Sequence, residues 1–212
     1  MASTFEDALR VSLTTFAEYL TASASSKIDC VKDQIQIYSK DYQRGPWFYH
    51  AFVDGVVKGR TSGADHLVMQ ATVNSQRDDP KRQHYEVLAK HWLALTDLHQ
   101  PLVGYGRAEW LTPTLAVSIR PDFVILGTND QPSTVKLWLK ERELGDDAAR
   151  AMLWLFEHHM TEICAGATPL VVDVRREKIY RRGRRPWKRG FDVLLENEAA
   201  SLARLWEKFA AA

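Results

Sequence analysis

Apolar residues recur every three to four positions through most of the first hundred residues, then shift to alternation and short unbroken runs. Phe5, Ala8, Leu9, Leu13, Phe16 and Leu20 keep a helical period over residues 5–21, with Ser3 or Thr4 ahead as cap and Glu6 and Asp7 in the first turn. Small residues from Thr21 to Ser26 separate this helix from a second periodic segment, Ile28, Val31, Ile35 and Tyr38, also read as helix. Gly45-Pro46 breaks the pattern; Trp47, Phe48, Ala51, Phe52 and Val56 then predict a third helix ending near Gly59 to Gly63, and a short fourth spans Ala64 to Val73. Arg77-Asp78-Asp79-Pro80 opens a longer helix to about His99, whose stripe is Tyr85, Leu88, Trp92 and Leu95.

From Pro101 the period shortens. Glu109 to Ile119 mixes aromatic and β-branched residues around Thr-Pro-Thr, which suits one or two strands. Phe123 to Leu126 is a compact apolar run, Gly127 to Ser133 is rich in turn formers, and Val135, Leu137 and Leu139 alternate with Lys136, Trp138 and Lys140. This predicts an antiparallel hairpin that brings Asp122, at the head of one strand, to the same edge as Lys140, at the tail of the other. Gly145-Asp146-Asp147 starts a helix with Ala148, Met152, Leu155, Phe156, Met160 and Ile163 on one face, stopped by Gly166. Thr168 to Val174 reads as a strand buried on both faces, Arg175 to Arg189 as a basic connection, Phe191 to Leu195 as a further strand, and Leu195 to Phe209 as a terminal amphipathic helix. The pattern predicts an α+β protein in which an N-terminal helical region, 1–100, packs on a mixed β-sheet with flanking helices, 101–212, as one unit.

Composition narrows the class. With 212 residues, 45% hydrophobic and 26% charged, the chain can bury a full core. The formal net charge of +1 supplies no global field toward a polyanion, so any electrostatic case rests on local clusters. Cys30 and Cys164 stand far apart without CxxC spacing, which fits reduced thiols in a cytoplasmic protein and offers no zinc site. No run of about 18 apolar residues and no basic segment ahead of an apolar one occurs, so neither membrane spanning nor export is expected.

The stretch Arg120 to Lys140, with Pro121-Asp122 ahead of one strand and a lysine closing the next, resembles the core of the PD-(D/E)xK, or restriction-endonuclease-like, nuclease superfamily. The resemblance spans residues 84 to 180. It implies a helix leading three strands, a crossover helix and a further strand, and a magnesium-dependent phosphodiesterase. It also implies roles: Asp122 and, from the preceding helix, Glu86 as metal ligands, and Lys140 beside the attacking water. The family's second acid, two residues before the lysine, is Trp138 here. Glu141, Glu143 or Asp147 are the candidate substitutes, with Glu141 the least suited because an extended strand points it away from Lys140. Two functions from different classes follow: a metal-dependent nuclease, or a catalytically inactive binding or assembly subunit that keeps the fold.

A second feature is the cationic run Arg175, Arg176, Lys178, Arg181, Arg182, Arg184, Arg185, Lys188 and Arg189, with Tyr180 and Trp187 interleaved. Guanidiniums pair bidentately with phosphates and aromatics stack on bases, so Arg181, Arg182, Arg184, Arg185, Trp187, Lys188 and Arg189 are the candidate nucleic-acid contacts, with DNA ahead of RNA. The same segment is the candidate contact for an acidic protein partner, and its bland reading is a solvated connection. Seven histidines show no metal-binding spacing, and no GxGxxG, P-loop or GxSxG motif occurs, which leaves dehydrogenase, P-loop and α/β-hydrolase functions without support.

Overall fold

The structure, a computed structural model, describes residues 8–39, 48–95, 98, 101–102, 104–126 and 131–211. The expected caps Ser3 and Thr4, the break at Gly45-Pro46 with Trp47 and the hairpin turn 127–130 lie outside the described residues, and the long helix expected to reach about His99 ends at Ala94.

The first described element is a strand where a helix is predicted. β1, Leu9–Ser12, alternates exposed Arg10 and Ser12 with buried Val11, and α1, Leu13–Thr21, starts only after Ser12, whose Oγ accepts from the Thr15 N–H. The β-branched Val11 and the capping serine outweigh the helical spacing. α2, Lys27–Ser39, α3, His50–Ser62, and α4, Asp65–Asn74, follow as the spacing predicts; Gly63 closes α3 in a left-handed conformation. α5, Asp79–Ala94, is capped by Asp78 on the Lys81 N–H, with Pro80 in its first turn. The strands β2, Pro101–Leu102, β3, Ala108–Leu111, β4, Leu115–Ile119, β5, Phe123–Leu126, and β6, Pro132–Trp138, come next. Then α6, Asp146–His158, and α7, Met160–Cys164, lead to β7, Thr168–Asp173. A short 3-10 turn, Val174–Arg176, and β8, Lys178–Arg181, precede α8, Phe191–Ala210. Residues 191–195 are thus the first turns of α8, not a strand: Phe191, Leu195, Ala199 and Leu202 are buried at helical spacing while Val193 and Leu194 are exposed.

Among the described residues the strands form two mixed sheets, one of three strands in the order β1-β4-β3 and one of five in the order β2-β5-β6-β7-β8, which makes the protein α+β. β1 lies parallel to β4 and β3 antiparallel to it. β5 pairs antiparallel with β6, and β6 with β7 in parallel across the α6 crossover. β4 and β5 are separated by only Arg120-Pro121-Asp122, where the chain leaves one sheet and enters the other.

Two hydrophobic clusters lie on either side of this framework. α1, α6 and α8 bury Phe16, Tyr19, Met152, Phe156 and Leu202 with Trp138 and Val171 on one side. α3, α4 and α5 bury Phe52, Met69, Tyr85, Leu88 and Trp92 with Phe123, Leu137 and Val172 on the other. The helices of the first hundred residues therefore serve both clusters, and β7, contributing to both, is buried as its apolar run predicts. Among the described residues no helix is long and apolar enough to cross a membrane.

Candidate functional site

The turn Arg120-Pro121-Asp122 is built by a change of hydrogen-bonding partner. Phe123 faces Val135 in the β5–β6 ladder, so the register would set Pro121 opposite Leu137. Instead the Asp122 N–H donates to the Val135 carbonyl at 2.8 Å and its side-chain Oδ2 accepts the Leu137 N–H at 2.7 Å. The carboxylate takes over a ladder bond just where proline redirects the chain. Its other oxygen, Oδ1, accepts from Lys136 Nζ at 2.8 Å, and the Asp122 carbonyl accepts from the Tyr105 hydroxyl at 3.0 Å.

The hairpin therefore brings Asp122 to Lys136 instead of Lys140. Counting back from the Phe123–Val135 pair sets Lys136 opposite Asp122, a register that the length of the turn concealed in the sequence. Lys140 lies farther along and reaches Glu18 of α1, Nζ to Oε2 3.3 Å, and Glu18 is also held by Gln34 Nε2 at 2.7 Å. Gln34 Oε1 accepts from Thr15 Oγ1, which neighbours Ser12 Oγ and the Tyr38 hydroxyl, so a polar chain runs from the α1 cap to Lys140. Glu18 is a functional candidate that sequence reading missed; it stands in the amphipathic helix with nothing in its spacing to single it out, and the docking of β1 beside β4 and of α1 against α6 and α8 carries it here.

Asp122, Lys136, Glu18 and Lys140 line one cleft of about 900 Å³. One wall is α3, with Tyr49, Val53 and Val57; the other is formed by α1 and α2, with Leu13, Ile37 and Tyr38. The four charged side chains are recessed, at 15%, 16%, 20% and 28% exposure respectively. Partial burial strengthens each pair, and each of the two carboxylates faces an ammonium.

Glu86 is elsewhere. It is 57% exposed on α5, lies 4.0 Å from Arg82, and borders a shallow groove with His66 and Met69. Glu141, Glu143 and Asp147 are exposed and absent from the cleft lining; Glu141 sits 3.5 Å from His84. Trp138 faces inward, fully buried, its indole N–H donating to the Arg142 carbonyl at 2.7 Å. It therefore fills core where the family resemblance would have an acid.

The donors do not fit magnesium. Among the described residues no three His, Cys, Asp or Glu side chains come together as a metal-binding group. Each Asp122 oxygen already has its own donor, and magnesium requires near-octahedral oxygen ligation. What the arrangement offers instead is a pair of lysines backed by carboxylates, able to swing onto an entering anion.

Behind the α3 wall, Tyr49 contacts His84 Nε2 at 3.1 Å, and Arg175 lies 2.7 Å from His84 Nδ1. Burial, and then the Arg175 charge, hold the His84 pKa below its ordinary value against the opposing pull of Glu141. Burial pushes the Tyr49 hydroxyl up to about 12, so it remains protonated.

The basic segment divides into two sets. Arg175 serves His84, Arg176 donates to the carbonyls of Lys140 and Glu141, Lys178 pairs with Asp146, and Arg182 with Glu157. Trp187 also donates to Glu157, stacks on Phe191 at 5.4 Å and carries Arg182 over its ring, so it is engaged in packing. Arg181, Arg184, Arg185, Lys188 and Arg189 are exposed and have no ion pair among the described residues. No residue of 175–189 lines the cleft.

Compared with known proteins, the chain matches no family model, and no curated protein or solved structure matches it.

Proposed function

We propose that this chain is a nucleic-acid-binding protein on a restriction-endonuclease-like scaffold, acting as a binding or assembly subunit whose cleft floor grips a backbone phosphate with Lys136 and Lys140. The single observation that carries the reading is the presence of the Lys136–Asp122 and Lys140–Glu18 pairs in the lining of one recessed cleft. An entering phosphate would take the ammonium donors, while Asp122 and Glu18 hold the lysine stems in position. The scaffold reading is supported by the five-stranded sheet: α5 leads to β2, β5 and β6, successively antiparallel, and the α6 crossover leads to β7, parallel to β6, while β3 and β4, between β2 and β5 in the chain, pair in the other sheet.

The cations Arg181, Arg184, Arg185, Lys188 and Arg189, without an ion pair among the described residues, form a second contact, for the backbone of the same polymer or for an acidic protein partner. Free Cys30 and Cys164 fit a cytoplasmic setting, with the Cys30 thiol pushed up to about 11 chiefly by burial, and so unreactive. A magnesium-dependent nuclease is the competing reading; it is favoured by the recessed carboxylates Asp122 and Glu18, alongside Asp54 and Glu109 in the cleft lining, and opposed by the pairing of Asp122 and Glu18 with lysines.

The test is fluorescence anisotropy with labelled DNA and RNA at low salt, wild type beside Lys136→Gln/Lys140→Gln, with magnesium and manganese titrations and cleavage assays in parallel. Binding that weakens about tenfold or more in the double variant supports the phosphate grip. No affinity for either polymer sinks it, and metal-dependent cleavage abolished by Asp122→Ala establishes the nuclease instead.

A further inference from the structure

Resting on that phosphate-binding reading, we infer that the cleft takes a single-stranded nucleic acid, and that the Tyr105 ring is the platform on which the base beside the bound phosphate stacks. Three observations lead there. The first is depth: the lysines and carboxylates that would meet the phosphate are largely buried at the floor of a cleft walled by helices. A duplex is stiff and holds its phosphates on the outside of a wide rod, whereas a single strand can turn one phosphate into a recess. A volume of about 900 Å³ lies in the range of small-ligand sites, roughly 300–1,000 Å³, and suits a few nucleotides instead of a turn of duplex.

The second is charge. A duplex carries one negative charge per roughly 1.7 Å of axis, and its binders meet it with an excess of cations. In this cleft Lys136, Lys140 and Arg10 each face a carboxylate, leaving Lys58 and Arg120 as lining cations without an acidic partner among the described residues. So weak a field asks for affinity from another source, and base stacking is the usual one for single strands.

The third is Tyr105 itself. Its hydroxyl is fixed on the Asp122 carbonyl, which sets its ring beside the phosphate position. The ring belongs to neither hydrophobic cluster and has no aromatic neighbour among the described residues, although it lines the cleft. The other two lining tyrosines are occupied: Tyr38 meets Trp206 edge-on at 5.3 Å, and Tyr49 packs on Phe48 and His84. The backbone beneath Tyr105 is held as well, since the Gly106 N–H donates to the Ile163 carbonyl at 2.7 Å. Ring and hydroxyl thus have separable duties, one to stack and one to hold the Asp122 turn.

The experiment measures affinity for single-stranded DNA, single-stranded RNA and duplex DNA of one sequence at one salt concentration. Wild type, Tyr105→Phe and Tyr105→Leu are compared, with 2-aminopurine placed in the single strands to report stacking. Wild type is expected to bind a single strand about tenfold or more tighter than duplex, with 2-aminopurine fluorescence quenched on binding. Tyr105→Leu loses about tenfold of that affinity and the quenching, while Tyr105→Phe, which keeps the ring but not the hydroxyl that holds the Asp122 turn, keeps the quenching and loses less affinity than the Leu variant. The DNA and RNA arms identify which polymer is preferred. Tighter binding of duplex than of single strands overturns this inference alone, as does an equal loss in the Phe and Leu variants. No binding of any polymer at low salt overturns the phosphate-binding reading and the platform with it. Should Tyr105→Leu fail to fold, wild-type selectivity and 2-aminopurine quenching decide the matter by themselves.

Discussion

Lys136 Nζ lies 2.8 Å from Asp122 Oδ1 across the β5–β6 hairpin, and both side chains are about five-sixths buried. Removing one member leaves the other charged and poorly hydrated. Lys136→Met is expected to destabilise the protein by about 2–4 kcal/mol, somewhat under the cost of breaking a fully buried pair. Lys136→Met/Asp122→Asn should lose less than the sum of its parts, with a coupling of about 1 kcal/mol or more. Chemical unfolding of the four proteins in the cycle measures it.

Trp138 occupies the position where an acid would complete the family pattern. Because the indole is buried and donates to the Arg142 carbonyl, Trp138→Glu is not expected to create a metal site. It removes a large core side chain and buries a carboxylate, a loss expected at about 4 kcal/mol or more. The readout is soluble yield and melting temperature; a stable, magnesium-binding variant would contradict the packing role of Trp138.

Gly106 has no room for a side chain, since an added Cβ would run into the Glu162 carbonyl oxygen. Backbone cannot yield there as a flexible side chain would. Gly106→Ala is expected to cost about 1–3 kcal/mol by overpacking and to shift Tyr105, so thermal unfolding and nucleic-acid affinity should fall together.

Acid should weaken the fold through His84. Burial and the Arg175 charge set its folded-state pKa below the ordinary 6.5, so between those two values the unfolded chain binds more protons. Stability is therefore present above pH 6.5 and declines as the pH falls from 6.5 toward the folded-state pKa. Between about pH 7.5 and about pH 5, the melting temperature of wild type should drop by more than that of His84→Gln. Equal slopes would mean that the histidine titrates alike in both states.

The two sets of cations in the basic segment should respond differently. Arg184→Ala/Arg185→Ala touches no ion pair and is expected to leave stability within about 0.5 kcal/mol, while each lost phosphate contact lowers the single-strand salt slope by about 0.7. Arg182→Ala breaks the Glu157 pair and uncovers the Trp187 ring, costing about 1 kcal/mol. Thermal melts and salt titrations separate the two effects.

Much of this architecture can be read from local signals. The helical stripes of α3 and α5, the acidic start of α6, the apolar run of β7 and the β5–β6 hairpin all combine spacing with capping or turn chemistry, and each forms. The misreadings have equally local causes. Residues 191–195 are apolar enough for a strand, yet Gly190 at φ 81 starts a helix there. β8 is a short edge strand whose Lys-Ile-Tyr-Arg sequence hides within a cationic run. The site was legible in part: Asp122 stands out because a carboxylate follows proline at a strand head, whereas Glu18 and the partnership with Lys136 depend on register and on a pairing between distant segments, which no single stretch encodes.

The parallel pairing of β1 with β4 matches Leu9 to Leu115, so the first described strand finds its place only beside a segment about a hundred residues downstream. Closing so long a loop is slow, and during synthesis it cannot happen until β4 has left the ribosome. Until then α1 has no fixed position and Glu18 has no Lys140 to meet. The cleft is consequently complete only once β1, β4 and the β5–β6 hairpin are all present, and a nascent or truncated chain lacking either end of this pairing carries the helices without the site.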